Sequence, residues 1–169
     1  MGAKIAIPVE EYLRTPFPGP DREYRFGEIE ERTMPDYLHG KIQGILFAFF
    51  WALRSTLHVH PAVETRVKVR PDLYLIPDVA VFHPEEPSRL PDTPPLAVIE
   101  VLSTDDRMSD VRQKLEQYRI WGVPHVWLVD PHGQRLYACD LGLVEVSALR
   151  IPELGLELTP DIVFDFPKA

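Results

Sequence analysis

The chain has 169 residues, 45 % of them hydrophobic and 10 % aromatic, enough to bury the core of one domain and too apolar for a disordered protein. Its formal net charge of −8 counts against a protein that coats nucleic acid through phosphate contacts, which would present a basic surface. The longest apolar run, Ile45 to Leu53, falls far short of a membrane span; the opening residues do not read as a secretory signal, and the single cysteine, Cys139, suits a reducing cytoplasm and a place in the core.

Taken in order, Pro8 to Leu13 has room for one short helical turn, which the proline-rich stretch Thr15 to Pro20 ends, since proline fixes φ and removes a backbone donor. Glu23 to Phe26 and Glu28 to Thr33 flank Gly27 and predict a hairpin. From Tyr37 to about Leu57, apolar residues such as Leu38, Ile42, Leu46, Phe50, Leu53 and Leu57 return at three- and four-residue steps. This predicts the longest helix, with its aromatic stripe in the core.

Val63 to Arg70 alternates apolar and charged residues, as a strand with one wet face does, and Leu73 to Phe82 predicts a more buried strand. Pro77 within it implies an edge or a bulge. A loop rich in proline and acids, Pro84 to Pro95, leads to a buried strand at Leu96 to Leu102. Asp106 to Trp121 predicts a helix with Met108, Val111, Leu115 and Tyr118 on one stripe, stopped by Gly122 with Pro124 beyond. His125 to Val129 reads as another buried strand, Asp130 to Gly133 as a turn, and Gln134 to Cys139 as the strand pairing back. Strands at Leu143 to Leu149 and near Leu156 to Leu158 extend that antiparallel part. The order predicts an α/β domain over residues 1–169, a three-layer core in which helices flank a mixed central sheet.

Several common sites are excluded: there is no phosphate-cradling glycine loop, no His-Glu-x-x-His and no Gly-x-Ser-x-Gly. His58 and His60 lack a partner cluster and read as solvated loop histidines. What remains is a pair of acids. Pro-Asp recurs, at Pro35, Pro71, Pro91 and Pro160 among other places, but Asp78 after Pro77 enters a strand-like run and is followed by a second apolar run ending in Glu100.

Burying an unpaired carboxylate costs several kcal/mol unless it is paired, hydrogen-bonded or bound to a metal. Two carboxylates on neighbouring strands offer hard oxygen ligands suited to Mg²⁺ or Mn²⁺. A lysine within reach, Lys114, would stabilise charge on an attacked phosphate. Together they point to metal-assisted phosphodiester hydrolysis. Lys114 also stands four residues after Asp110, where a solvated i,i+4 ion pair of about 0.3–0.5 kcal/mol is the plainer reading.

The series Gly27-Glu28, His39, Pro77-Asp78-Val79, Ile99-Glu100-Val101-Leu102-Ser103, Asp110, Lys114, Tyr118, Gly122-Val123-Pro124 and Trp127-Leu128-Val129-Asp130-Pro131 resembles the Uma-two-type endonuclease family of the PD-(D/E)xK, restriction-endonuclease-like superfamily. The resemblance runs over nearly the whole chain. It implies a four-stranded mixed central sheet flanked by helices, and a Mg²⁺- or Mn²⁺-dependent endonuclease acting on nucleic acid, DNA before RNA. It implies metal ligands at Asp78, Glu100 and the Val101 carbonyl, a catalytic Lys114, and supporting places for Glu28 and Tyr118. Leu102 stands where the superfamily carries its lysine, and the family supplies that lysine from the next helix. His39 has no assigned role. The alternative reading is a catalytically silent nuclease-fold module for binding or assembly, acting as a homodimer, which the acidic balance favours.

Overall fold

The computed structural model describes residues 5–165. The first third contains β1 (Ile5–Ala6), α1 (Val9–Arg14), β2 (Glu23–Arg25), β3 (Glu28–Glu30) and the long α2 (Tyr37–Leu57). The middle third holds β4 (His60–Val63), β5 (Val67–Arg70), β6 (Leu73–Leu75), β7 (Val79–Phe82), β8 (Ala97–Val101) and α3 (Met108–Trp121). After it come β9 (His125–Asp130), β10 (Arg135–Cys139), β11 (Leu143–Val146), β12 (Leu149–Ile151), β13 (Leu156–Leu158) and the single turn α4 (Pro160–Val163).

The central sheet is mixed and has six strands in the order β11-β10-β9-β8-β7-β4, two more than the four expected. Its one parallel pair is β8 with β9, reached through the α3 crossover. A second, antiparallel sheet runs β1-β3-β2-β6-β5, and β12 pairs with β13 apart from both. The predicted hairpin is β2–β3, with Gly27 at φ 92° in the turn.

Three predicted strands are each cut in two. Val63 to Arg70 breaks after Val63, with Glu64 at φ 50°, and its halves lie in different sheets as β4 and β5. Leu73 to Phe82 breaks at Ile76-Pro77-Asp78, with β6 in the outer sheet and β7 in the central one. Pro77 has no N–H to give a ladder, so the chain uses this place to change sheets rather than to bulge within one. Leu143 to Leu149 likewise yields β11 in the central sheet and β12 outside it.

Strand alternation divides the core. Val79, Val81, Ala97, Ile99, Val101, Trp127 and Val129 pack on Ile42, Leu46 and Phe50 of α2, while Ala80, Phe82, Val98, Val126 and Leu128 pack on Leu115 and Tyr118 of α3 and on Val67, Leu73 and Leu75 of the second sheet. The aromatic stripe of α2 is only partly core: Phe50 is fully buried, but Trp51 is exposed, stacked on Phe47 and covered by the Arg54 guanidinium. Cys139 is buried in the α3-side cluster.

Candidate active site

Alternation along β8 sends Val98 toward α3 and Ile99 toward α2, so Glu100 falls on the α3 side. Lys114 and Tyr118 are one turn apart on the inward stripe of α3. They therefore meet Glu100: the Lys114 Nζ lies 2.9 Å from Glu100 Oε1 and 3.0 Å from Oε2, and the Tyr118 hydroxyl donates to Oε1 at 3.0 Å. The surface pairing with Asp110 does not occur. Asp110 is exposed and accepts from the Ser109 hydroxyl, whereas Lys114 is 9 % exposed.

The same ammonium lies 2.8 Å from Glu23 Oε1 and donates to the Ile76 carbonyl at 2.9 Å. Glu23 Oε1 accepts the Ile76 N–H at 3.0 Å, and its Oε2 accepts from Arg25 at 2.6 and 3.2 Å. The Ile76 N–H and carbonyl at the Ile76–Asp78 corner are thus held by Glu23 and Lys114.

Asp78 occupies the end of that corner, 3 % exposed. Its Oδ2 accepts the Val101 N–H at 2.7 Å and lies 3.1 Å from His39 Nε2, and its Oδ1 accepts from Arg32 Nη2 at 2.8 Å. The bond from Val101, the residue after Glu100, sets the two acids side by side. Arg32 spans to Glu64 through Nη1. Gln43 donates at 2.8 Å both to the Asp78 carbonyl and to Glu64 Oε1. His39 is placed by the Asp36 carboxylate, which caps α2 by accepting its N–H at 2.8 Å. The His39 Nδ1 is buried without a partner.

Charge is shared unevenly. Burial works to raise every carboxyl here, and at Glu23 the Lys114 and Arg25 cations overcome it and bring the pKa down to about 2. At Glu100 burial wins: Lys114 opposes it, but Asp78 and Glu23 add negative charge, and the carboxyl is pushed up to about 8. Asp78 is held below its ordinary value despite burial, through His39, Lys114 and Arg32. Lys114 and His39 are raised, since their acid neighbours outweigh burial.

These groups line a cleft of about 1000 Å³ whose lining includes Asp78, Glu100, Val101 and Lys114, the further acids Glu30, Glu31, Asp105, Asp106 and Asp110, and the cations Arg25, Arg32 and Arg107. Glu28 does not line it; it stands beside Arg25, Phe26, Glu30 and Gln113 at a smaller cavity. Glu23, on the facing strand of the hairpin, reaches Lys114, the cation beside Glu100, instead. Glu23, Arg32, Gln43 and Glu64 are the residues that sequence reasoning passed over. Glu23 and Arg25 do sit two apart on one strand face, which is a weak sign of a shared partner. Nothing in the sequence distinguishes Arg32 or Glu64 from surface charge. Among the described residues, no group of three or more His, Cys, Asp or Glu side chains is arranged as a metal cage, and no helix is long and apolar enough to cross a membrane.

Comparison with known proteins agrees with this architecture. No curated protein matches the chain. A solved structure described as a putative nuclease belonging to DUF820, from Anabaena variabilis ATCC 29413, superimposes with a TM-score of 0.81 at 22 % identity, covering 94 % of this chain and 98 % of that one. The two share a fold: a mixed central sheet flanked by helices, with additional antiparallel strands. The model of the Uma2 family, described as "Putative restriction endonuclease", matches residues 9–165, and the chain belongs to that family.

Proposed function

We propose that this chain is a Mg²⁺- or Mn²⁺-dependent endonuclease that hydrolyses phosphodiester bonds in nucleic acid, DNA before RNA. The observation that carries the reading is the junction of Asp78, Glu100 and Lys114. Two buried carboxylates are tied together through the Val101 N–H, and a buried ammonium lies 2.9 Å from the second. Buried, perturbed groups converging in one cleft mark a functional site more often than a structural one.

The donor chemistry fits a hard divalent cation. Asp78 and Glu100 supply oxygen ligands, with the Val101 carbonyl as a third, and burial together with the neighbouring Asp78 and Glu23 carboxylates disfavours a bare negative charge on Glu100. A cation there would take the place of its proton. When bound, such an ion polarises a phosphate oxygen and lowers the pKa of a water. Lys114, charged at neutral pH, stabilises negative charge developing on the phosphate. Tyr118 and Glu23 position it and Glu100 by the hydrogen bonds described.

The excess of acids over cations in the cleft lining favours the second reading, a silent module that keeps the fold without turnover. Labelled duplex DNA, single-stranded DNA and RNA, each incubated with Mg²⁺, Mn²⁺ or EDTA, separate the two. The nuclease reading expects metal-dependent cleavage that disappears in folded Asp78→Ala, Glu100→Ala and Lys114→Ala variants. Wild-type protein inert on all three substrates with both metals overturns it.

A further inference from the structure

The cations facing the acids differ in how firmly they are committed. Lys114 belongs to α3 and is held by Glu23, Glu100 and the Ile76 carbonyl. Arg25 belongs to β2 and is held by Glu23 and Glu30. Arg32 comes from the segment between β3 and α2, which has no ladder and is pinned by side chains, the Thr33 hydroxyl donating to Asp106 Oδ1 at 2.7 Å. Its guanidinium bridges Asp78, which is buried, and Glu64, which is 39 % exposed at the cleft edge.

Asp78 has little coordination capacity to spare. An ionised carboxylate offers about four lone-pair sites, of which Oδ2 uses two on Val101 and His39 and Oδ1 uses one on Arg32. A divalent cation reaching Oδ1 would stand against a guanidinium, and like charges at such range repel strongly. The one site left on Oδ1 lies beside that guanidinium, so an ion that occupies it favours displacement of Arg32. The ion has Glu100 as a second ligand, and Arg32 has Glu64 as a second anchor, so the exchange leaves neither unpaired. A guanidinium tethered by one edge at a cleft mouth keeps its other donors for a phosphate, whose oxygens it matches in geometry.

We propose that Arg32 is an exchangeable counter-cation: it holds Asp78 Oδ1 until a divalent ion takes that oxygen, and then, retained by Glu64, it binds a phosphate of the nucleic acid. This rests on the metal-dependent reading above. It predicts opposite changes in two affinities, which a purely structural role would not produce. Full-length Arg32→Gln, titrated calorimetrically with Mn²⁺, binds the ion about tenfold tighter than wild type, and binds a fluorescent DNA duplex in Ca²⁺ about tenfold more weakly, the equivalent of one charge-assisted hydrogen bond in each direction. Arg32→Lys keeps the charge but cannot bridge two carboxylates as a fork does; it shifts Mn²⁺ affinity the same way by less, which keeps the test alive if the glutamine variant does not fold. Equal or weaker Mn²⁺ binding by the variants, or unchanged DNA binding, overturns the inference while the metal site stands. Absence of Mn²⁺ binding by wild type and variants alike overturns the metal-dependent reading, and this inference with it.

Discussion

The two sides of the cleft are built differently. The inner side, Glu23, Glu100, Lys114 and Tyr118, is contributed by β2, β8 and α3, elements fixed by ladders and helical bonds, and its four side chains are buried among one another. The outer side, Arg32, Glu64, Gln43 and Asp78, comes mostly from the segments at which strands end, and all but Asp78 reach solvent. The inner side fixes a charge arrangement that folding enforces. The outer side holds its charges through side-chain bonds that can be exchanged. An active site needs both: a rigid ammonium to meet developing charge and an adjustable edge to admit ion and substrate.

Breaking the inner side should have the largest effect on stability. Lys114→Met leaves Glu23 and Glu100 facing each other without their shared cation, and removing one partner of a buried ion pair costs about 3–5 kcal/mol. Urea unfolding of the metal-free protein at neutral pH measures it. A loss below about 1 kcal/mol would mean that the inner network contributes little, and the contrast between the two sides would fall.

The pH dependence of the metal-free protein tests the uneven sharing of that cation. The Glu100 pKa is raised from 4.5 to about 8 in the folded state, so between those values the native protein holds a proton the unfolded chain has lost, and its contribution to stability falls as pH rises. Glu23 runs the other way. Its pKa is lowered from 4.5 to about 2, so its contribution is present above 4.5 and is lost as pH falls toward 2. Glu100→Gln should flatten the decline between pH 4.5 and about 8, and Glu23→Gln the acid limb below 4.5; denaturant midpoints over the range read both. Identical profiles for the two variants would contradict the assignment.

Smaller effects sharpen the comparison. Tyr118→Phe removes one hydrogen bond to the buried Glu100 carboxyl, neutral near pH 7, and is expected to cost about 1.5 kcal/mol. Gln43→Ala, on the outer side, removes bonds at a half-buried position and is expected to cost about 1 kcal/mol. Thermal or urea melts measure both, and a costlier change at Gln43 than at Tyr118 would reverse the account.

Much of the fold is legible in the sequence because periodicity reports burial directly. The apolar steps from Tyr37 to Leu57 coincide with the ends of α2, and Gly122 closes α3 in a left-handed conformation at φ 103°. Periodicity does not report which sheet a strand joins. Val63 to Arg70 and Leu73 to Phe82 keep their patterns across the breaks, so each reads as one strand although its halves separate. The candidate site is legible only in part. Asp78 and Glu100 stand out as acids within apolar runs, whereas Lys114 is singled out by the resemblance, since its spacing alone reads as a solvated partner of Asp110. Glu23 does not stand out, because what separates it from Glu28, Glu30 and Glu31 is the pairing of β2 with β6, some fifty residues away in the chain. Arg32 and Glu64 meet only because α2 brings the two segments together, and no local pattern encodes that.

The most direct test of the central claim is single-turnover cleavage of labelled DNA in Mg²⁺ by wild type and by Asp78→Asn, a change that keeps the size of the side chain and removes its charge. With both proteins shown to be folded, the account predicts cleavage by wild type that EDTA abolishes and none by the variant. Equal cleavage by the two would place the chemistry elsewhere than on the acid pair.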